Sequence, residues 1–122
     1  MGATPIRHFT DLVVWQEGHK LVLNVYSTTR KFPEDERYGL VSQMRRSASS
    51  ITANIAEGFG RQGSKDKAQF YIHSRGSVDE LQDQFLIAKD LKYITDNLYN
   101  ELQEASVLVH KLLNGLIKST RR

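Results

Sequence analysis

The chain has 122 residues, 39% hydrophobic and 25% charged, a size and balance that fit one globular domain and exclude both a disordered chain and a two-domain protein. It contains no cysteine, which excludes disulfides, thiolate metal sites and cysteine nucleophiles and suits a reducing, cytoplasmic setting. The net charge is +3, and no apolar run has the length of a membrane span or of a signal-peptide core, so no membrane partner is expected.

Along the chain, four stretches carry apolar or small residues three and four apart, the spacing of a helix seam. The first runs over about residues 12–32, with Val14, Gly18, Leu21, Val25, Thr29 and Phe32 on its seam. Thr10 or Asp11 is placed to cap its start, and Pro33 forces the chain out of helix after Phe32. The second, about 36–57, turns Leu40, Met44, Ala48, Ile51 and Ile55 inward and ends on Gly58 as a left-handed terminal residue. The third, about 65–93, follows Ser64 as a cap and carries Tyr71, Ser74, Val78, Leu81, Phe85, Ala88 and Leu91. The fourth, about 96–118, begins after Thr95 and carries Leu98, Leu102, Ala105, Val109, Leu112 and Leu116.

Short connections make successive helices antiparallel neighbours, and no alternating stretch is long enough for a strand. The expected fold is therefore all-α, a single up-and-down antiparallel four-helix bundle over residues 1–122. Val22, Tyr26, Phe59, Phe70, Ile72, Leu86, Ile87, Leu108, Leu113 and Ile117 fall off the main stripes. A bundle has one interior, so either the stripes are broad or a second apolar face meets other copies of the chain.

Charge is segregated as well. Residues 1–36 carry a net −1, 37–75 +5, 76–106 −5 and 107–122 +4. Such polarity pairs subunits or attracts a polyanion.

Motifs for covalent chemistry are missing. Gly58-Phe59-Gly60-Arg61-Gln62-Gly63 matches the G-x-G-x-x-G dinucleotide fingerprint, but that motif needs a strand before it, and here a helix precedes it. It reads as a loop ending a helix, with Arg61, Lys65 and Lys67 beside the start of the third helix, where unpaired backbone N–H groups favour a phosphate. His8, His19, His73 and His110 form neither an H-x-x-x-H pair nor a Glu-x-x-His motif, so no metal or cofactor is expected. Ser47, Ser49 and Ser50 have no histidine–carboxylate pair near them in sequence, and no catalytic residue is expected.

Gln43, Ser47, Ser50, Asn54 and Glu57 form a polar stripe along the second helix. Glu57 lies in the last turn, where the helix dipole disfavours negative charge, and requires a cation, with Arg75 and Arg61 as candidates. Gln43, Ser50, Asn54, Glu57 and Arg75 are expected to form a hydrogen-bonded network joining the second and third helices, with Gly76 permitting a tight helix contact.

Several of these residues combine into a recognisable pattern. Phe9-Thr10-Asp11-Leu12-Val13-Val14-Trp15-Gln16 opens it, followed by Phe32-Pro33, Glu36, Gly39-Leu40 and Gln43-Met44-Arg45-Arg46. Ser50-Ile51, Asn54-Ile55-Ala56-Glu57-Gly58, Gly60-Arg61, Arg75-Gly76-Ser77 and Glu80-Leu81 complete it. Over about residues 9–117 the chain resembles the four-helix-bundle proteins encoded in intervening sequences of bacterial 23S ribosomal RNA genes, a family that includes the accessory variability determinant proteins of diversity-generating retroelements. The resemblance implies a ring-shaped homopentamer without enzymatic activity and a basic surface that meets nucleic acid. In the retroelement branch it implies RNA or DNA together with a reverse transcriptase.

Two functional readings follow. In the first, the chain is a non-catalytic, homo-oligomeric accessory protein whose Arg45, Arg46, Arg61, Lys65, Lys67, Arg121 and Arg122 contact phosphates of RNA or DNA. No sequence specificity is expected, because neither a recognition helix nor a stacking motif is visible. In the second, the chain is a protein–protein scaffold that docks a partner such as a reverse transcriptase, with Arg45 or Arg46 in interfacial ion pairs.

Overall fold

Four long helices form where the four periodic stretches lie. The structure, a computed structural model, describes residues 5–122. Helix α1 spans Val13–Thr29, α2 Leu40–Gly60, α3 Ser64–Asp90 and α4 Asp96–Thr120, with 3₁₀ turns at Phe9–Asp11 and Glu34–Glu36. No strand occurs among the described residues. Each helix packs on the next, and α4 returns against α1; the diagonal pairs do not come within 8 Å between Cα atoms. The fold is thus a four-helix bundle, and none of its helices is long and apolar enough to cross a membrane.

Leu21, Val25, Met44, Ala48, Ile51, Ile55, Val78, Leu81, Phe85, Val109 and Leu113 meet in one core. Full burial of each larger side chain contributes about 1.5–3 kcal/mol. The seams expected for the first two helices are all buried, from Val14 to Phe32 and from Leu40 to Ile55. In α4 the interior face is Leu102, Ser106, Val109, Leu113 and Ile117, so Leu113 and Ile117 belong to the core, and Leu98, Ala105, Leu112 and Leu116 flank it. The hydroxyl of Ser106 can sit inside because it donates to the Gln103 carbonyl at 2.8 Å and accepts from the Gln82 amide at 3.1 Å.

Helix ends depart from the sequence expectation for local reasons. Asp11 caps the 3₁₀ turn, accepting the N–H groups of Arg7 and His8 at 3.0 Å, and neither it nor Thr10 caps α1. These two bonds hold the Asp11 carboxyl below its ordinary value. Helix α1 stops at Thr29, whose hydroxyl turns back to the Val25 carbonyl at 2.8 Å. Glu34–Glu36 is a separate turn, and α2 starts only at Leu40, whose N–H donates to Glu36 Oε1 at 3.2 Å. Gly63, not Ser64, is the N-cap residue of α3.

Gly58 is inside α2 rather than at a left-handed end, and no described glycine has a positive φ. Its role is close approach, since a Cβ there would lie 2.7 Å from Tyr71 Cε1. Gly76 makes no tight contact, because a Cβ there would meet nothing within 4 Å. Lys92 takes φ 64 after α3, and the Tyr93 N–H reaches back to the Ala88 carbonyl at 2.9 Å, a Schellman-type ending. Leu91 is left 51% exposed by this exit.

Candidate nucleic-acid interface

The seven basic residues singled out from the sequence fall into two groups. Arg45 and Arg46 lie in the second turn of α2, beside the end of α1. Arg61, Lys65 and Lys67 gather where α2 gives way to α3, about 23 Å further along at 1.5 Å per residue. Arg121 reaches this second group from the end of α4, lining a shallow groove with Ser64, Lys65, Gln69 and Ile72. Arg122 follows it, exposed.

Within each group the side chains are not equivalent. Arg45 Nε donates to the Thr29 hydroxyl at 2.9 Å, its Nη2 lies 3.4 Å from the Tyr26 carbonyl, and its guanidinium rests 4.6 Å from the Tyr26 ring centre. It clasps α2 to the last turn of α1. Lys67 Nζ donates to the carbonyls of Phe59 at 2.6 Å and Gly58 at 3.3 Å, closing the C-terminus of α2. Arg61 stands 3.8 Å from both Glu57 and Asp66 and lies over the Phe70 ring at 4.7 Å. Arg46, Lys65, Arg121 and Arg122 make no side-chain hydrogen bond or ion pair with described residues and are exposed.

The expected polar network forms only in part. The Ser77 hydroxyl donates to Ser50 Oγ at 2.9 Å, and Asn54 Nδ2 donates to the Ser50 carbonyl at 2.9 Å and to Ser50 Oγ at 3.0 Å. The buried Ser74 hydroxyl donates to the Ile51 carbonyl at 2.7 Å. Gln43 stands outside this network, because its exposed amide is hydrated and gains little from a partner. Glu57 pairs with Arg61 one turn ahead, as the helix continues to Gly60. Arg75 does not reach Glu57; a 100° step around α3 from Ser74 aims it at α4, where it donates to Asn114 Oδ1 at 2.9 Å.

Three residues that sequence reasoning left aside join the first group. Tyr26, Arg37 and Tyr38 line an open groove with Arg45 and Arg46, and no carboxylate is part of that lining. Their separation in sequence hid them, for Tyr26 lies in α1 and Arg37 and Tyr38 in the segment between the Glu34–Glu36 turn and α2. The acidic side chains of residues 76–106 lie on the other pair of helices, α3 and α4. Among the described residues, no three His, Asp or Glu side chains gather as a metal site requires. Of the serines considered as nucleophiles, Ser47 is buried and Ser49 donates to the Arg45 carbonyl at 2.8 Å.

The family model described as 23S rRNA-intervening sequence protein matches residues 10–115. The crystal structure of a Bacteroides thetaiotaomicron protein with unknown function, from the S23 ribosomal protein family, superimposes with a TM-score of 0.78. It is 24% identical in sequence and covers 87% of this chain and 99% of its own. No curated protein matches.

Proposed function

The chain belongs to the 23S rRNA-intervening sequence protein family, and from that premise we propose that it is a non-catalytic cytoplasmic protein that assembles with its own copies and acts as an accessory factor on RNA or DNA. The assembly is a homopentamer, as the family resemblance implies. The observation that carries the nucleic-acid reading is the outward set Arg46, Lys65, Arg121 and Arg122, whose charges are not spent inside the bundle. Cations held on a rigid helical frame and left in water bind a polyanion by releasing its counterions. Arg45 and Lys67 support the frame, and Arg61 stands 3.8 Å from two carboxylates in half-exposed pairs that lower its share of the phosphate attraction without removing it.

The test is a titration of RNA and duplex DNA against salt. Binding that weakens steeply, with the logarithm of affinity linear in the logarithm of salt, is expected. No association even at low ionic strength would remove the reading.

A second reading, a scaffold that docks its own copies or a polymerase-like partner such as a reverse transcriptase, is favoured by one observation. The basic α1–α2 edge and the acidic α3–α4 side are complementary in charge. Arg46→Ala separates the two: it weakens nucleic-acid binding and spares the assembly mass under the first reading, and lowers that mass under the second.

A further inference from the structure

The groove between α1 and α2 holds a residue that phosphate binding leaves without a role. Tyr38 is 87% exposed, in the segment between the Glu34–Glu36 turn and α2. An aromatic ring standing in water contributes nothing to the core, and its hydroxyl has no hydrogen-bond partner among the described residues. Tyr26, 37% exposed, lines the same groove. Arg45 covers a face of the Tyr26 ring at 4.6 Å and Arg37 lies more loosely over Tyr38 at 5.5 Å, but at 87% exposure Tyr38 keeps most of its ring in water and is the open platform of the two.

The surrounding charge selects the occupant. Arg37, Arg45 and Arg46 line the groove and no carboxylate does. The nearest opposing charge, Glu34, lies 3.6 Å from Arg37, but both side chains are mostly in water, at 88% and 65% exposure, so this pair is weak and exchangeable. Guanidinium groups interleaved with an open ring form the arrangement that holds single-stranded nucleic acid: charge tracks the backbone and a base stacks on the ring. A duplex keeps its bases stacked on one another and offers no free base face.

We infer that this groove is a single-strand site, in which a base of RNA or DNA stacks on Tyr38 while Arg37 and Arg46 hold the flanking phosphates. The inference rests on the nucleic-acid reading above and deepens it, adding the stacking element that no sequence spacing revealed.

Fluorescence anisotropy tests it with a labelled oligothymidylate of about twelve nucleotides and a duplex of equal length. Tyr38→Ala is expected to weaken single-strand binding about ten-fold and to leave duplex binding within about two-fold, while Tyr38→Phe keeps both because stacking needs the ring alone. Arg46→Ala weakens both ligands and lowers the salt slope by about 0.7 for the single strand. Unchanged single-strand affinity in Tyr38→Ala overturns the inference. A fall in assembly mass in that variant also overturns it, by placing Tyr38 between copies. Failure of the wild type to bind either ligand at low ionic strength removes the nucleic-acid reading itself. Equal binding of both ligands, with Tyr38→Ala silent, removes this site alone.

Discussion

Tyr93 donates its hydroxyl to Glu36 Oε2 at 2.8 Å, while Glu36 Oε1 accepts the N–H of Leu40 at 3.2 Å. One carboxylate therefore caps α2 and ties its start to the turn between α3 and α4. Phe32 packs beneath, its ring centre 5.2 Å from that of Tyr93. Loss of the cap in Glu36→Ala is expected to lower stability by about 1–2 kcal/mol in urea denaturation, and Glu36→Gln, which keeps an acceptor for Leu40, by less. Equal losses in the two variants would show that the side chain does not cap α2.

The same contact sets a pH dependence. The hydrogen bond to Glu36 first, then burial and the charges of Glu36 and Asp35, hold the Tyr93 phenol above its ordinary value of 10.0. The neutral phenol is the form the fold prefers, so its contribution is complete below that value and is lost as pH rises from it through the raised one. The stability difference between wild type and Tyr93→Phe should stay constant from about pH 7 to 9 and shrink at higher pH. Tyr71, raised by burial alone, titrates in both proteins and cancels from the comparison. A difference that does not change with pH would refute the linkage.

Gly58 and Gly76 should respond oppositely to alanine. At Gly58 the added methyl would lie 2.7 Å from Tyr71 Cε1 and 3.0 Å from Phe70 Cβ, and Tyr71 is only 2% exposed, so it has no room to retreat. A loss of about 1–3 kcal/mol is expected. At Gly76 nothing lies within 4 Å, and removing the conformational freedom of a helix-interior glycine should raise stability by about 0.5–1 kcal/mol. Thermal melts of the two variants check both signs.

How much of this was legible in the sequence varies by element. The α2 seam, from Leu40 to Ile55, could be read residue by residue because Met44, Ala48 and Ile51, at its centre, each stand between two polar neighbours. In α4 the apolar residues come in adjacent pairs, Leu108-Val109, Leu112-Leu113 and Leu116-Ile117, so the same stretch fits two faces about 100° apart. Only the position of α1 and α3 chooses between them. The helix ends were blurred because capping depends on one side chain's rotamer: nothing in the string of letters says that Glu36 folds back on Leu40. The site suffered most, since residue type marks a cation but not whether its charge is spent. Lys65 and Lys67 are alike in sequence, yet one faces water and the other closes a helix.

That contrast is measurable. Lys67→Met keeps the aliphatic stem but removes the donor to Phe59 and Gly58, and should cost about 0.5–1 kcal/mol of stability with little change in the salt slope of RNA binding. Lys65→Met should do the reverse, leaving stability within about 0.5 kcal/mol while lowering the slope by somewhat under one. Parallel effects of the two substitutions on binding would show that the Lys67 ammonium leaves the helix end to meet phosphate.

Arg45 and Arg46 give the corresponding test at the other group. Arg45 serves two acceptors on α1 and a ring face at once, a geometry that needs the planar fork of a guanidinium. Arg45→Ala should therefore lower stability by about 1–2 kcal/mol, and Arg45→Lys should recover little, because one ammonium cannot reach Thr29 and the Tyr26 carbonyl together. Arg46, one residue on and turned outward, should be replaceable by alanine within about 0.5 kcal/mol. If Arg45→Ala proves as stable as Arg46→Ala in urea, the clasp between α1 and α2 contributes nothing, and Arg45 returns to the set of cations available for phosphate.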